Sequence, residues 1–390
     1  MSNDGSNGET TPAALADAIE SGERVAILDV RNRDEVDAWR IEGESVVHTH
    51  VPHVKFVSAQ VTGDADELVD PDESYVVVCP RGEASDEVAR TLRDAGVDAV
   101  NLAGGMKAWA RLYREQLVSV DANGLDVLQF RRPASGCLAY VLLADDESIA
   151  NGRSALVVDP LRAFTDRYAS AVADRDGTIE RVLDTHVHAD HVSGLRELAS
   201  AADAAPLLSE TAADRGVTYD VETLSDGDEI PVGDATIDVL ATPGHTTGSI
   251  SLRCGDLLLS GDSLFVDGVP RPDLEAGAEG ADDHARELYA TLTDRLAEIP
   301  DDVTVAPGHY VPGTRPAADG TYTATMGTLR ERLRVFDETS DEFVDRILGS
   351  MGSRPANFER IIETNLGNAE LADEDAFELE LGPNNCAVAE

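Results

Sequence analysis

Apolar positions along the chain gather into short runs, and segments of a different period separate them. ERVAILDV (Glu23–Val30) is a continuous apolar run of the kind a strand buried on both faces needs, and SYVVVC (Ser74–Cys79) is another. Behind the second run, RGEASDEVARTLRDAG (Arg81–Gly96) changes to the period of an amphipathic helix and closes on Gly96. DAVNLAGG predicts a third strand and MKAWARLYRE (Met106–Glu115) a further helix. Strand-then-helix alternation predicts a small parallel sheet covered by helices over residues 11–115, behind a disordered polar tail, MSNDGSNGET, at residues 1–10.

From residue 116 to 390 the pattern changes. GCLAYVLLAD, SALVVDP, IERVLDTHVHAD, ATIDVLATPGH, GSISLRC, DLLLSGD and DVTVAPGH read as many short strands, with helices interspersed. Two helical segments, RLRVFDETSDEFVDRILGSM and PANFERIIETNLG, form a C-terminal extension. This mixture predicts a layered αββα sandwich.

Charge adds a second constraint. The chain carries 75 Asp and Glu against 31 Lys and Arg, a formal net charge of −44, and its only lysines are Lys55 and Lys107. Acidic residues spread along the whole chain suit a cell with multimolar internal salt, where the Debye length falls to about 3 Å and self-repulsion is screened. The same charge argues against nucleic acid and anionic membranes as partners. The four cysteines, Cys79, Cys137, Cys254 and Cys386, form no CxxC pair, so a dense disulfide framework is excluded and a reducing, cytoplasmic setting is expected. The N-terminus lacks the features of a signal peptide, and no apolar run reaches the ~18 residues that span a bilayer.

The chemistry concentrates at strand ends. His186, His188, Asp190 and His191 fall within six residues behind one predicted strand, and His245, Asp262 and His309 follow three others. Seven such groups at equivalent strand-to-loop junctions can meet on one rim of a sheet, and imidazole with carboxylate suits Zn, Fe or Mn. THVHADH, TPGHTTGS, SGDSLF and APGH, in that order, resemble the metallo-β-lactamase superfamily. SGDSLFVDGVPRPDL and PANFERIIETNLGNAE are similar to the persulfide dioxygenases within it. That resemblance implies one Fe(II) per chain on His186, His245 and Asp262, with His188, Asp190, His191 and His309 as supporting groups or ligands of a second metal. It also points to Arg271, Asp273 and Tyr310 as substrate-pocket residues and to Asp190 as a catalytic group. The alternative it leaves open is a hydrolase of the glyoxalase II type with two Zn.

A second centre is expected at Cys79-Pro80-Arg81-Gly82-Glu83-Ala84-Ser85, which joins a strand to a helix. Successive backbone N–H groups and a helix N-terminus make an anion cradle there, a setting that activates a thiol. With ILDVR (Ile27–Arg31) and LAGGMKAW (Leu102–Trp109), this loop resembles the rhodaneses, which carry sulfane sulfur on that cysteine. The resemblance implies catalytic roles for Cys79 and Arg81; Ala84 stands where many rhodaneses place an arginine. The remaining cysteines read as packing residues. The joint expectation is an α/β rhodanese-like domain followed by a metallo-β-lactamase sandwich. Such an enzyme would handle a thiol persulfide, O2 and sulfite or thiosulfate, and the resemblance allows a homo-oligomer.

Overall fold

The computed structural model describes residues 8–148, 152–311, 313–382 and 385–389. By contacts the chain divides into two units, one of residues up to Tyr113 with Arg132–Ser135, the other of Arg114–Arg131 with the residues from Gly136 onward.

The first unit is built on five strands: β1 (Glu9–Thr10), β2 (Val25–Asp29), β3 (Val46–His50), β4 (Tyr75–Val78) and β5 (Ala99–Leu102). They lie in the order β1-β5-β4-β2-β3, every pair parallel. Helices α1 (Pro12–Glu20), α2 (Arg33–Ala38), α3 (His53–Thr62), α4 (Glu83–Asp94) and α5 (Gly105–Ala110) provide the crossovers and cover. The apolar run of β2 is explained by its two faces. Ala26 and Leu28 pack with Phe56 of α3 and Val88 and Leu92 of α4. Val25 and Ile27 pack with Leu15 of α1 and Met106 and Trp109 of α5.

Two local expectations are corrected here. The proposed tail lies outside the described residues over 1–7, but Glu9 and Thr10 pair with Asn101 and Leu102, which gives their backbone polar groups partners. The helix expected over Met106–Glu115 stops at Ala110, and Arg114–Val118 is instead a strand of the second unit. The strand pairing there with Asp126–Arg131 overrides the helical period of the sequence.

The second unit contains two facing sheets. One has seven strands: β6 (Arg114–Val118), β7 (Asp126–Arg131), β8 (Leu138–Asp146), β9 (Gly152–Val158), β10 (Gly177–Leu183), β11 (Ala205–Ser209) and β12 (Glu222–Leu224). The other includes β13 (Glu229–Val232), β14 (Ala235–Ala241), β15 (Ile250–Cys254) and β16 (Leu257–Gly261). After β17 (Gly268–Pro270), β18 (Thr304–Pro307) pairs parallel with β16 and β19 (Ala324–Thr325) closes the second sheet. Alternate residues of β8 (Leu138, Tyr140, Leu142) interleave with Ile237, Val239, Leu252 and Leu259 of the opposite sheet to form the central core. The outer face of the second sheet, at Leu258 and Val305, is covered by helices Gly277–Ala290 and Ser340–Ser350 through Leu288, Phe343 and Ile347. This is the expected αββα sandwich. No helix among the described residues is long and apolar enough to cross a membrane.

Candidate metal centre and thiol loop

Strands β10, β14, β16 and β18 each end immediately before a segment that carries metal-ligand side chains: Asp184–His191, Thr242–His245, Asp262 and Gly308–His309. Backbone crowding shapes the rim. A Cβ added at Gly308 would stand 2.5 Å from Asp262 Oδ1, so only glycine lets β18 approach that carboxylate.

The ligand atoms fall into adjoining groups. His186, His245 and Asp262 form one, all three buried, with ligand atoms within 4.8 Å of one another. His186 Nε2 and His245 Nε2 lie 3.9 and 3.7 Å from Asp262 Oδ2. None of these three buried atoms has a hydrogen-bond partner. Their neighbours explain why they are bare. His245 Nδ1 donates to the Arg271 carbonyl at 2.7 Å. The Thr185 hydroxyl donates to Asp159 at 2.9 Å, so its oxygen is left to accept from His186 Nδ1 at 3.1 Å. Both imidazoles are thereby held in the tautomer whose lone pair is on Nε2. Burial, then His188 and His245 nearby, push the His186 pKa well below the ordinary value, and burial lowers that of His245, so both rings stay neutral. Three orphaned donor atoms at this spacing, two neutral imidazoles and one carboxylate, fit a divalent metal bound on one face.

Cys137, Asp190, His191 and His309 form the second group, also within 4.8 Å and also buried. Here the donors are turned on each other. His309 Nδ1 donates to Asp262 Oδ1 at 2.7 Å and Nε2 to Asp190 Oδ2 at 2.8 Å. His191 Nδ1 lies 3.2 Å from the same Asp190 oxygen, and the Cys137 thiol donates to it at 3.2 Å. Burial opposes charge at both rings, but the Asp262 and Asp190 carboxylates hold His309 well above the ordinary histidine pKa, and Asp190 does so for His191. Asp190 is held well below the carboxylate range by His309 and His191 against the cost of burial. At Cys137 burial and Asp190 push the thiol up, and His309 and His191 outweigh them and bring it below its usual value.

His188 groups with Asp159 and Asp184, its Nε2 3.1 Å from Asp159 Oδ1 and 3.8 Å from Asp184 Oδ1. Burial raises Asp184 to about 6. Asp159, Asp184 and Cys137 were not foreseen. Asp159 and Asp184 stand one residue beyond β9 and β10, so the strand-end rule that found the histidines would also have found them. Cys137, read from the sequence as packing, is brought beside His309 by an isolated bridge between residues distant along the chain.

Arg271 and Asp273, expected in the substrate pocket, are 2% and 5% exposed. The Arg271 guanidinium forks onto Asp273 at 2.6 and 3.2 Å and donates to the carbonyls of Ser353, Asn385 and Gly352. Burial opposes ionisation of Asp273, yet Arg271 and Arg354 hold its pKa below the ordinary value. This pair fastens the C-terminal segment and, through the Arg271 carbonyl, orients His245. Tyr310 is half-buried and stacks on Tyr322 with ring centroids 3.7 Å apart.

In the first unit, Cys79 follows β4 and is 2% exposed. Its sulfur accepts the Gly82 backbone N–H at 3.0 Å, and the Ser85 hydroxyl lies 3.1 Å away. The loop wraps tightly on α5, because a Cβ at Gly105 would meet the Cys79 carbonyl at 2.3 Å. Arg81, two residues further along the loop, is exposed. At the end of β2, the Asp29–Arg31 pair is buried at 2.7 Å.

Sequence profiles match residues 136–309 to the metallo-beta-lactamase superfamily and residues 11–112 to the rhodanese-like domain. The mitochondrial persulfide dioxygenase ETHE1 of Homo sapiens is 27% identical over 67% of this chain and 96% of its own length. A hydroxyacylglutathione hydrolase of Polaromonas is 36% identical over 40% of this chain and 57% of its own. The crystal structure of ETHE1 from Myxococcus xanthus superposes with a TM-score of 0.53 and 30% identity, over 62% of this chain and 98% of that one. The chain belongs to the metallo-beta-lactamase superfamily and carries a rhodanese-like domain ahead of that fold.

Proposed function

We propose that this protein oxidises a low-molecular-weight thiol persulfide at a single iron(II) held by His186, His245 and Asp262. The balance is RSSH + O2 + H2O → RSH + SO3²⁻ + 2 H⁺. The observation that carries this reading is the contrast between the two ligand groups. His186 Nε2, His245 Nε2 and Asp262 Oδ2 are bare, whereas both nitrogens of His309 are spent on carboxylates. A two-histidine, one-carboxylate face leaves the opposite positions open, as a reaction with two small co-reactants requires. When bound, iron(II) supplies the electrons that make O2 reactive toward sulfur. The protein's residues do the rest. Thr185 and the Arg271 carbonyl orient the imidazoles, and His309 holds Asp262 by its Oδ1 so that Oδ2 faces the triad. Asp190 and His309 stand beside it as a charged pair able to hold or release a proton. The similarity to persulfide dioxygenases over nearly their whole length supports the assignment.

In the first unit, Cys79 would carry sulfane sulfur as a persulfide within its loop, with Arg81 favouring anionic donors such as thiosulfate. It would either load the persulfide substrate or join product sulfite to sulfane sulfur as thiosulfate. The composition calls for assays in concentrated salt, as does the proposed setting, the cytoplasm of a halophile. Oxygen uptake with glutathione persulfide by iron-loaded protein tests the main reading; no uptake, with brisk thioester hydrolysis by the zinc form, overturns it.

A second reading is favoured by one observation: His191 Nε2 and His188 Nδ1 are also buried without a hydrogen-bond partner, and the Asp190 carboxylate groups with His191, so donor atoms for a second ion are present. That arrangement would suit a two-zinc hydrolase, in which a bridging hydroxide attacks a thioester. Metal analysis separates them: about one iron per chain for the dioxygenase, two zincs for the hydrolase.

A further inference from the structure

PANFERIIETNLGNAE (Pro355–Glu370) follows the last ligand residue, His309, and carries none of the metal-ligand groups itself. Its helix, Phe358–Asn365, lies against the loop that holds the histidine cluster. The residues of that loop that alternate with the ligands make the contact. Val187 packs in one apolar cluster with Leu366, Ala189 in a second with Phe358 and Ile362, and Val192 in a third with Ile361 and Ala376. His186, His188, Asp190 and His191 are left for the three ligand groups on the rim.

The last residue of this helix reaches the loop's backbone. Asn365 is buried, and its Nδ2 donates to the carbonyls of His188 and His191, each at 2.9 Å. Its Oδ1 accepts the Ser193 N–H at 2.9 Å. Beside it, Glu380 Oε1 accepts the Val192 N–H at 2.9 Å. The helix end is fixed in turn from its other side. Its carbonyls, which a helix terminus leaves without partners, accept from the Tyr219 hydroxyl at Asn365 and from the Thr218 N–H at Leu366. Gly367 permits that approach, since a Cβ there would meet Thr218 Oγ1 at 2.5 Å.

We propose that Asn365 is a positioning residue for the metal centre: its amide pins the backbone from His188 to Ser193 and so holds the ligand side chains of that loop in place before an ion binds. The chemistry of the contact requires an amide. Two carbonyls that converge on one point need two donors, and the Ser193 N–H next to them needs an acceptor. Among side chains this short, a carboxamide supplies all three in one plane. The bonds run to the backbone of His188 and His191 themselves, so a shift of the amide is passed directly to residues of the ligand groups. Bare buried donor atoms such as His186 Nε2 and Asp262 Oδ2 gain by moving apart to find partners, and a pinned loop denies His186 that movement. The inference rests on reading this rim as a metal site and holds for an iron oxygenase and a two-zinc hydrolase alike.

Cobalt(II) binding to the metal-free full chain in multimolar potassium chloride, followed by visible absorption, tests this. Asn365→Asp keeps the shape and the acceptor but sets a carboxylate against two carbonyls. Its dissociation constant for the tightest cobalt ion is expected to rise by about 10–100-fold, with a changed absorption band, as for other groups that orient metal ligands. Asn365→Gln keeps the amide one methylene out of place and gives a smaller rise, a measurement that stands where the aspartate variant does not fold. The comparison is Ile347→Ala, which opens the packing of the helix Ser340–Ser350 on the outer face of the second sheet. It lowers the unfolding midpoint and binds cobalt as wild type does. Wild-type affinity and spectrum in both Asn365 variants, or a loss in Asn365→Asp no greater than in Ile347→Ala, overturns the proposal. The dioxygenase reading fails on oxygen uptake by iron-loaded wild type and this inference on cobalt affinity, so the two fail separately.

Discussion

The two ligand groups on the rim of the sandwich have similar composition and opposite electrostatics. In the first, carbonyl and hydroxyl oxygens take the Nδ1 protons of His186 and His245, and burial keeps the rings neutral. In the second, Asp190 and Asp262 take both protons of His309, and the rings of His309 and His191 stay charged. A neutral imidazole offers a lone pair to a metal and an imidazolium offers none. The difference comes from what stands behind each ring rather than from the ring itself. A backbone carbonyl accepts a hydrogen bond without stabilising a cation as strongly as a carboxylate does. Ligand identity alone is therefore a poor guide to metal count in this fold.

The largest effect that would break this comparison is expected at the triad. His245→Ala should empty the site, with iron per chain falling toward zero and oxygen uptake falling by more than about 100-fold, since even outer partners of a metal ligand typically cost 10–100-fold. Iron retained at full occupancy would show that His245 is not a ligand. Next comes the neighbouring group. Asp190→Asn should keep iron near one per chain while lowering turnover by about 10–100-fold, because His309 loses the partner that holds it against Asp262. A zinc-loaded variant that loses one of two bound ions would instead favour the hydrolase.

The third effect is smaller and acts through orientation. Arg271→Lys keeps the charge but loses the fork onto Asp273 and the contacts with the Ser353, Asn385 and Gly352 carbonyls. Disturbing a buried pair this way costs about 3 kcal/mol. We expect a lower unfolding midpoint and a turnover loss of about tenfold, as the Arg271 carbonyl loosens its hold on His245. Calorimetry and oxygen uptake on the same preparation check both.

Much of this arrangement is legible in the sequence, and the illegible part has a common cause. The runs of β2, β4 and β16 are buried along their whole length because both faces of those strands are covered, and motif residues follow the ends of β4, β10, β16 and β18 directly. The helix expected over Met106–Glu115 fails because the partner that turns Arg114–Val118 into a strand lies further along, at Asp126–Arg131. Cys137 was passed over for the same reason, since its meeting with Asp190 and His309 is a tertiary contact across 53 and more residues. Arg271 and Asp273 were recognisable as a pair, but whether they face a substrate or a chain segment depends on where residues 352–354 and Asn385 return.

The smallest effect concerns pH, and it separates the two groups by sign. In metal-free protein the folded pKa values of His186 and His245 are depressed. Their contribution to stability is thus present above the unfolded value of about 6.5 and is lost as pH falls through it. His309 is raised, so its contribution is complete below about 6.5 and is lost as pH rises through the folded value. Asp190 and Asp262 are depressed and hold theirs until pH falls below about 4. Between about pH 5 and 8, His186→Gln should therefore gain on wild type in unfolding midpoint as pH falls, because it removes a ring that resists protonation. His309→Gln should lose ground to wild type over the same fall, because it removes a ring that gains from protonation. Opposite slopes of a few °C across that range, at the ~2–4 °C per kcal/mol typical of domains of this size, are within reach of scanning calorimetry. Parallel slopes would mean that the two sets of imidazoles share one protonation state, and the electrostatic distinction between the groups would be lost.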